Sequence, residues 1–324
     1  MTERTEPMVA LRNCPAPAKL NLCLHVLGRR DDGYHEIDTV FDLIDLQDTL
    51  SFTLRSDSAI MRRGNVHGLA QDTDLCVRAA RLFAAATGTQ YGVDIDVQKR
   101  IPMGGGLGGG SSNAATTLLA LNRLWGIHWP VARVARLALQ LGADVPVFVH
   151  GTAAHAQGIG ERLQPLELPE QFYVLVAPPA AVPTSEIFGA PELTRDSKPL
   201  KISVFSRSLI GEHGRNDLEP VACERYPAVD QALRALNRFA ARSDGRRSSR
   251  QASARGSHSE QDPGAVAWRS ARMSGSGACV FLPVASWDDA CRIRDLAADL
   301  DVGQVHAVRS MARHPLRNWA FVRP

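Results

Sequence analysis

The sequence predicts a two-domain α+β protein, and three observations carry that reading. The chain has 324 residues, where a typical domain takes about 150. Its first half orders alternating strands before a strand, a glycine-rich loop and a helix. Its second half mixes helices and strands in the order of an α+β sandwich. Hydrophobic residues make up 44% and charged residues 22%, and no apolar run approaches the roughly 18 to 20 residues of a bilayer span, so a globular chain is expected. The opening Met1-Thr2-Glu3-Arg4-Thr5-Glu6-Pro7 has two acids and no hydrophobic core of a signal peptide, which points to the cytosol.

The first element is read from Ala18-Lys19-Leu20-Asn21-Leu22-Cys23-Leu24-His25-Val26. Leu20, Leu22, Leu24 and Val26 alternate with Lys19, Asn21, Cys23 and His25, as in a half-buried strand, so Lys19 and Asn21 share the face opposite the leucines. Asp31-Asp32-Gly33 supplies turn chemistry before a second strand over residues 37–46, giving an antiparallel pair. Leu50, Phe52 and Leu54 repeat the alternation, residues 75–86 have helical spacing ending towards Gly88, and Val93, Ile95 and Val97 mark another strand.

After the glycine loop comes a helix, and a further helical pattern over residues 131–141 stops at Gly142, with Pro146 preventing continuation and Asp144 in the break. Val147-Phe148-Val149 and residues 172–177 read as buried strands. Pro178-Pro179 and Pro183 look like the passage into a second domain, and the two units are assigned to residues 9–165 and 166–324. In the second, helices are expected near 227–241 and 287–300 and strands near 279–282 and 303–309. Between them, residues 240–268 are dominated by Ser, Arg, Gly, Ala and Gln, too poor in large apolar side chains to offset ordering entropy, so a disordered insertion is expected.

Composition excludes several classes. The six cysteines, Cys14, Cys23, Cys76, Cys223, Cys279 and Cys291, form no CxxC pair and no zinc-type spacing, and read as buried free thiols in a reducing compartment. The net charge is +3. Residues 240–268 hold five Arg against three acids and so supply two of those charges, which leaves no basic face for nucleic acid.

The chemistry centres on Pro102-Met103-Gly104-Gly105-Gly106-Leu107-Gly108-Gly109-Gly110-Ser111-Ser112-Asn113. Six glycines in seven positions let consecutive amide groups converge on an anion, and the helix that follows adds unpaired N–H donors and the positive end of its dipole. A phosphate fits there. Gly104, Gly106 and Gly109 match GxGxxG, but no acid occurs between Asn113 and Ala143 to bind a ribose, so a Rossmann site fails; Ser111 stands where a Walker loop has Lys; and protein-kinase signatures are missing. Charge compensation must come from elsewhere, from a divalent metal and the helix terminus. Asp144 reads either as the carboxylate that receives an acceptor's hydroxyl proton or as a helix cap. Lys19 can hold that carboxylate ionised or polarise the hydroxyl. A second small-residue loop, Arg272-Met273-Ser274-Gly275-Ser276-Gly277-Ala278-Cys279, either closes the site or is a tight strand entry. Together these favour phosphoryl transfer.

Five segments in this order carry a resemblance: Pro17-Ala18-Lys19-Leu20-Asn21-Leu22, Gly28-Arg29-Arg30-Asp31-Asp32-Gly33-Tyr34-His35, the loop from Pro102 into Ala115, Gly142-Ala143-Asp144-Val145-Pro146-Val147-Phe148, and Ser274-Gly275-Ser276-Gly277-Ala278. The chain resembles the GHMP kinase superfamily, which includes galactokinase, homoserine kinase, mevalonate kinase and phosphomevalonate kinase. The Gly-Tyr-His segment is similar to that of the branch acting on 4-diphosphocytidyl-2-C-methyl-D-erythritol. The resemblance implies an N-terminal domain like ribosomal protein S5 and a ferredoxin-like C-terminal domain. It also implies ATP and Mg²⁺ as cofactors, with ATP held by Pro102, Met103, Gly104, Gly105, Gly106, Leu107, Gly108, Gly109, Gly110, Ser111 and Ser112. Lys19 and Asp144 would be catalytic, Asn21 would contact the substrate, Tyr34 and His35 would recognise cytosine, and Phe188 would close the other ring face. Another small-molecule kinase of the superfamily and a non-catalytic nucleotide-binding protein are the alternatives. Two departures stand out: Asp74 lies where relatives commonly have Asn, which affects the adenine side, and the segment 240–268 is longer than the usual connection.

Overall fold

Strand β1 (Ala10–Arg29) and strand β2 (His35–Arg55) form a long antiparallel ribbon. The turn between them is closed by Arg30 N donating to Tyr34 O at 2.8 Å and Gly33 N to Arg30 O at 3.0 Å, with Gly33 at φ +85°, a conformation that favours glycine. A computed structural model describes residues 9–64, 70–200, 215–253 and 270–320. β2 continues through the two stretches that the sequence separates. Its free edge is shared end to end by β4 (Gly92–Gln98), on residues 49–55, and β5 (Ala154–Gly158), on residues 37–41. β3 (Ile60–Arg63) lies parallel to β4, with α1 (Leu75–Thr87) as the connection, and β6 (Arg162–Pro165) pairs with β5.

One face of this sheet carries α1, α2 (Gly109–Leu124), α3 (Val131–Ala138) and α4 (Val145–His150), with Phe41, Phe52, Phe83, Leu118 and Phe148 in the common core. Val147-Phe148-Val149 is therefore helical, a correction to the strand expected. Pro146 sits in the first turn of α4, where its missing N–H costs nothing, and a short apolar run cannot by itself distinguish a strand from a buried helix. Gly142 is not a left-handed cap either: α3 ends at Ala138 and the chain turns before it.

The second sheet runs β10–β7–β9–β8, all neighbours antiparallel: β7 (Phe172–Ala177), β8 (Arg272–Met273), β9 (Val280–Val284) and β10 (Gln304–Arg309). With α5 (Thr184–Gly189), α6 (Glu219–Arg225) and α7 (Pro227–Ser253) between the first two strands and α8 (Trp287–Ala298) between the last two, this is the interleaved split βαβ of a ferredoxin-like unit. α7 runs past the expected end into the segment 240–268. Local i to i+4 bonding needs no core partner, so a Ser- and Arg-rich stretch can extend a helix. The rest of that segment, beyond Ser253, lies outside the described residues.

The two sheets pack face to face. Leu20, Leu22, Val40 and Ile44 of the first meet Tyr173, Leu175, Phe281 and Val308 of the second, while Val174, Val176, Val280 and Leu282 face the helices of the second unit. β7 is covered on both sides, which is why its sequence is an unbroken apolar run. Inside the sheet interface the Asp42 carboxyl accepts a 2.8 Å hydrogen bond from Tyr173 Oη, and burial raises its pKa to about 7. After β10 the chain returns to the first unit: Met311 N donates to Leu43 O at 2.7 Å, and Leu316 and Ala320 join the first core. No helix among the described residues is long and apolar enough to cross a membrane, and the six cysteines are free, four of them buried.

Candidate active site

Lys19 and Asn21 sit on the helix-side face of β1, and both are buried. The strand is thus covered on both faces, a correction to the half-buried reading: what covers Lys19 and Asn21 is the glycine loop. Lys19 N donates to Leu107 O at 3.0 Å and Lys19 Nζ to Gly106 O at 3.0 Å. The ammonium also donates to Asn21 Oδ1 and lies 3.4 Å from Asp144 Oδ2. Asn21 Nδ2 in turn donates to Thr39 Oγ1 at 2.9 Å, whose hydroxyl donates to Cys23 O at 2.5 Å. The three protons of the Lys19 ammonium thus meet Asn21 Oδ1, Gly106 O and Asp144 Oδ2, which holds it in one position.

Asp144 stands at the N-cap position of α4, yet its side chain makes no capping bond. Its side chain is 36% exposed against 3% for Lys19. The carboxylate therefore faces the cleft with one oxygen on the ammonium.

The two small-residue loops run against each other. Ala278 N donates to Gly104 O at 3.2 Å, Cys279 N to Gly105 O at 3.1 Å, and Ser274 Oγ to Gly106 O at 3.1 Å. Gly106 has φ +70°, and a Cβ there would overlap the Ser274 carbonyl oxygen. Gly108 also has φ +70° and opens α2, whose first amides point out of the helix by construction. Asn216, buried, donates from Nδ2 to Met273 O at 2.9 Å and Gly275 O at 2.7 Å, and Thr184 Oγ1 shares a 2.8 Å hydrogen bond with Ser276 Oγ. Burial pushes the Cys279 thiol up to about 12, so it remains a neutral thiol beside the loop.

One cleft of about 1050 Å³ gathers these groups: Lys19, Asn21, Tyr34, His35, Asp144, Phe188 and all of residues 102–111 line it. Ser112 does not. It is fully buried at the start of α2, with its Oγ unpartnered among the described residues. Within the cleft the His35 and Phe188 rings lie 5.0 Å apart at 35°, and Tyr34 is 60% exposed. Asp74, which also lines the cleft, caps α1 through 2.7 Å to Cys76 N and is ion-paired with the buried side chain of Arg62 at 2.8 Å.

Several lining or supporting residues escape sequence reading. Lys99 lines the cleft, with its ammonium on the buried Asp48. The signal was present in its position just before the loop. Arg29 also lines the cleft, whereas Asn216 and Thr184 reach the second loop only through long-range contacts.

Comparison with known proteins decides the family. Residues 74–152 match the model described as the GHMP kinases N terminal domain. A 4-diphosphocytidyl-2-C-methyl-D-erythritol kinase of Aromatoleum aromaticum is 49% identical over 315 residues, covering 97% of this chain and 99% of that one. This chain belongs to the 4-diphosphocytidyl-2-C-methyl-D-erythritol kinase family. A family member from Thiobacillus denitrificans is 49% identical over 302 residues, 93% of this chain and 96% of the relative. The crystal structure of a 4-(cytidine 5'-diphospho)-2C-methyl-D-erythritol kinase superposes with TM-score 0.71 at 33% identity, covering 91% of this chain and 98% of that one. Homoserine kinase of Cytophaga hutchinsonii, 17% identical, shares the fold with TM-score 0.65 over 97% and 98% of the two chains.

Proposed function

We infer that this kinase transfers the terminal phosphoryl group of ATP to the 2-hydroxyl of 4-diphosphocytidyl-2-C-methyl-D-erythritol, giving the 2-phosphate and ADP in the methylerythritol phosphate route to isoprenoid precursors, within the cytosol. The observation that carries the reading is the Lys19–Asp144 pair, 3.4 Å apart, in the same cleft as the glycine loop and the His35–Phe188 ring pair. Family membership supports the substrate.

In this reading residues 102–111 and the first amides of α2 receive the triphosphate, as does Lys99 by charge. Tyr34, His35 and Phe188 hold the cytosine, and Asn21 contacts the acceptor. Mg²⁺ supplies further neutralisation of phosphate charge. A cation carried on the nucleotide's phosphates would find Ser111, which lines the cleft, as a protein contact. Asp144 takes the hydroxyl proton as the oxygen–phosphorus bond forms and the bond to the leaving diphosphate breaks. Lys19 orients that carboxylate and the acceptor oxygen. The acceptor carbon is fully substituted, so positioning contributes much of the rate.

Asp144→Asn tests this. ADP release across the cytidine substrate, mevalonate, homoserine and galactose should show turnover on the cytidine compound alone, reduced at least about a thousandfold in the variant while ATP affinity stays within about threefold. Unchanged turnover removes the base assignment, and turnover on another alcohol replaces the substrate.

A further inference from the structure

Arg195 lies outside the cleft, behind His35. Its guanidinium bonds four acceptors: Nε donates to His35 Nε2 at 3.1 Å, Nη1 to Leu193 O at 3.0 Å, and Nη2 to Phe188 O at 3.0 Å and Ala190 O at 2.7 Å. A guanidinium has donors only, so the ring atom that it meets must be an acceptor. In a neutral imidazole that commits Nε2 as the lone-pair nitrogen and puts the proton on Nδ1. Nδ1 has no protein partner among the described residues, and it is not among their buried unpartnered atoms. It is the one ring nitrogen left to the cleft that His35 lines.

We propose that Arg195 is a positioning and specificity-determining residue: it fixes His35 as the Nδ1–H tautomer, so the pocket presents a hydrogen-bond donor to the pyrimidine edge of the nucleoside diphosphate, and it holds the Phe188 backbone in the same act. Cytosine offers adjacent acceptors, O2 and N3. Uracil carries a proton on N3 and cannot accept there. A donor locked on the protein and aimed at N3 therefore favours cytosine over uracil, whereas an imidazole free to exchange tautomers could serve either. Burial and the positive charges of Arg195 and Arg29 hold the His35 pKa below its ordinary value, which keeps the ring neutral near pH 7. The proposal rests on the cytidine-binding role of His35 given above.

The test uses the full-length enzyme with ¹⁵N-labelled histidine and reads the His35 tautomer by NMR, with cytidine 5'-diphosphate and uridine 5'-diphosphate as probes. The expected result is Nδ1–H in the wild type and perturbation of the His35 signals by cytidine 5'-diphosphate. Arg195→Ala should give loss of the single tautomer and about a tenfold fall in the preference for cytidine over uridine diphosphate, as one hydrogen bond allows. KM for the cytidine substrate should rise by a similar factor with KM for ATP unchanged.

His35→Asn places an amide donor where Nδ1–H lies and needs no tautomer control. Adding Arg195→Ala in that background should change the cytidine preference by less than about twofold. A wild-type Nε2–H tautomer, or an equal loss of preference in both backgrounds, overturns the proposal, the latter leaving Arg195 as loop support only. Should Arg195→Ala fail to fold, the wild-type tautomer and the Arg195→Lys variant still decide, since Lys can donate to Nε2 but cannot replace the three carbonyl bonds. If cytidine 5'-diphosphate leaves His35 unmoved, the cytidine site itself is misplaced and the proposal falls with it. A moved His35 with an unchanged tautomer in Arg195→Ala refutes the Arg195 role alone.

Discussion

Gly106→Ala puts one methyl group where the two loops meet. Its φ of +70° costs an L-residue about 1 to 2 kcal/mol, and the new Cβ falls on the Ser274 carbonyl oxygen. The overlap is with backbone, so no side chain can rotate away. Either the second loop moves or the Gly106 peptide turns, and both break the acceptor role of Gly106 O, which receives Lys19 Nζ at 3.0 Å and Ser274 Oγ at 3.1 Å. A bond from a charged donor contributes about 1.5 to 3 kcal/mol and a neutral one about 1. Their loss from the assembled site amounts to about 2.5 to 4 kcal/mol, which is about two to three orders of magnitude in kcat. Steady-state ADP release at saturating substrates measures this, with thermal unfolding as a check on folding. Gly28→Ala is the control, since its Cβ would meet nothing within 4 Å, and it should stay within about twofold. Turnover of Gly106→Ala within about threefold of wild type would refute the loop-to-loop reasoning.

Lys19→Ala should lower kcat by about two orders of magnitude or more while leaving ATP binding nearly intact, because the ammonium touches Asp144 and Gly106 in one fixed position; single-turnover rates alongside nucleotide titration separate the two. Tyr34→Ala should raise KM for the cytidine substrate about tenfold, roughly the value of one aromatic stacking contact, with KM for ATP unchanged; equal losses for both would contradict a base-stacking role. Asp42→Asn tests the sheet interface. The Asp42 pKa, raised from 3.8 to about 7, means that the folded state holds a proton that the unfolded state releases. Stability therefore falls between about pH 4 and pH 7 and stays low above it, by an amount on the order of 4 kcal/mol at most. The amide variant should consequently unfold at a higher temperature than wild type at pH 8 and at nearly the same temperature at pH 4, and an unchanged difference across that range would refute the assignment.

Much of the candidate site was legible before any coordinates. The glycine run announces itself by composition, because only residues without Cβ can be packed so densely into one turn. The alternation over β1 places Lys19 and Asn21 on one face, since side chains in a strand repeat every two residues. Asp144 stood out by isolation, as the acid in a break between helical stretches. These are local signals. The roles of Tyr34, His35 and Phe188 came from resemblance, because nothing in the local pattern separates a base-binding ring from an ordinary hairpin residue.

Tertiary structure decided the rest. A period of two shows which residues share a face but not what covers it, so the buried state of Lys19 waited on a loop 87 residues away. The run Val147-Phe148-Val149 is too short to reveal its period, and packing on α2 made it a helix. Arg195 and Asn216 look like surface polar residues in the sequence; their value lies in which carbonyls and which imidazole nitrogen they meet across the fold. The sequence by itself determined most of the elements, the glycine loop and the candidate residues Lys19 and Asp144, because each is written within a few neighbouring residues. The tertiary structure alone decided which side chains hold them in place, because a hydrogen bond between distant segments leaves no period, spacing or composition to read.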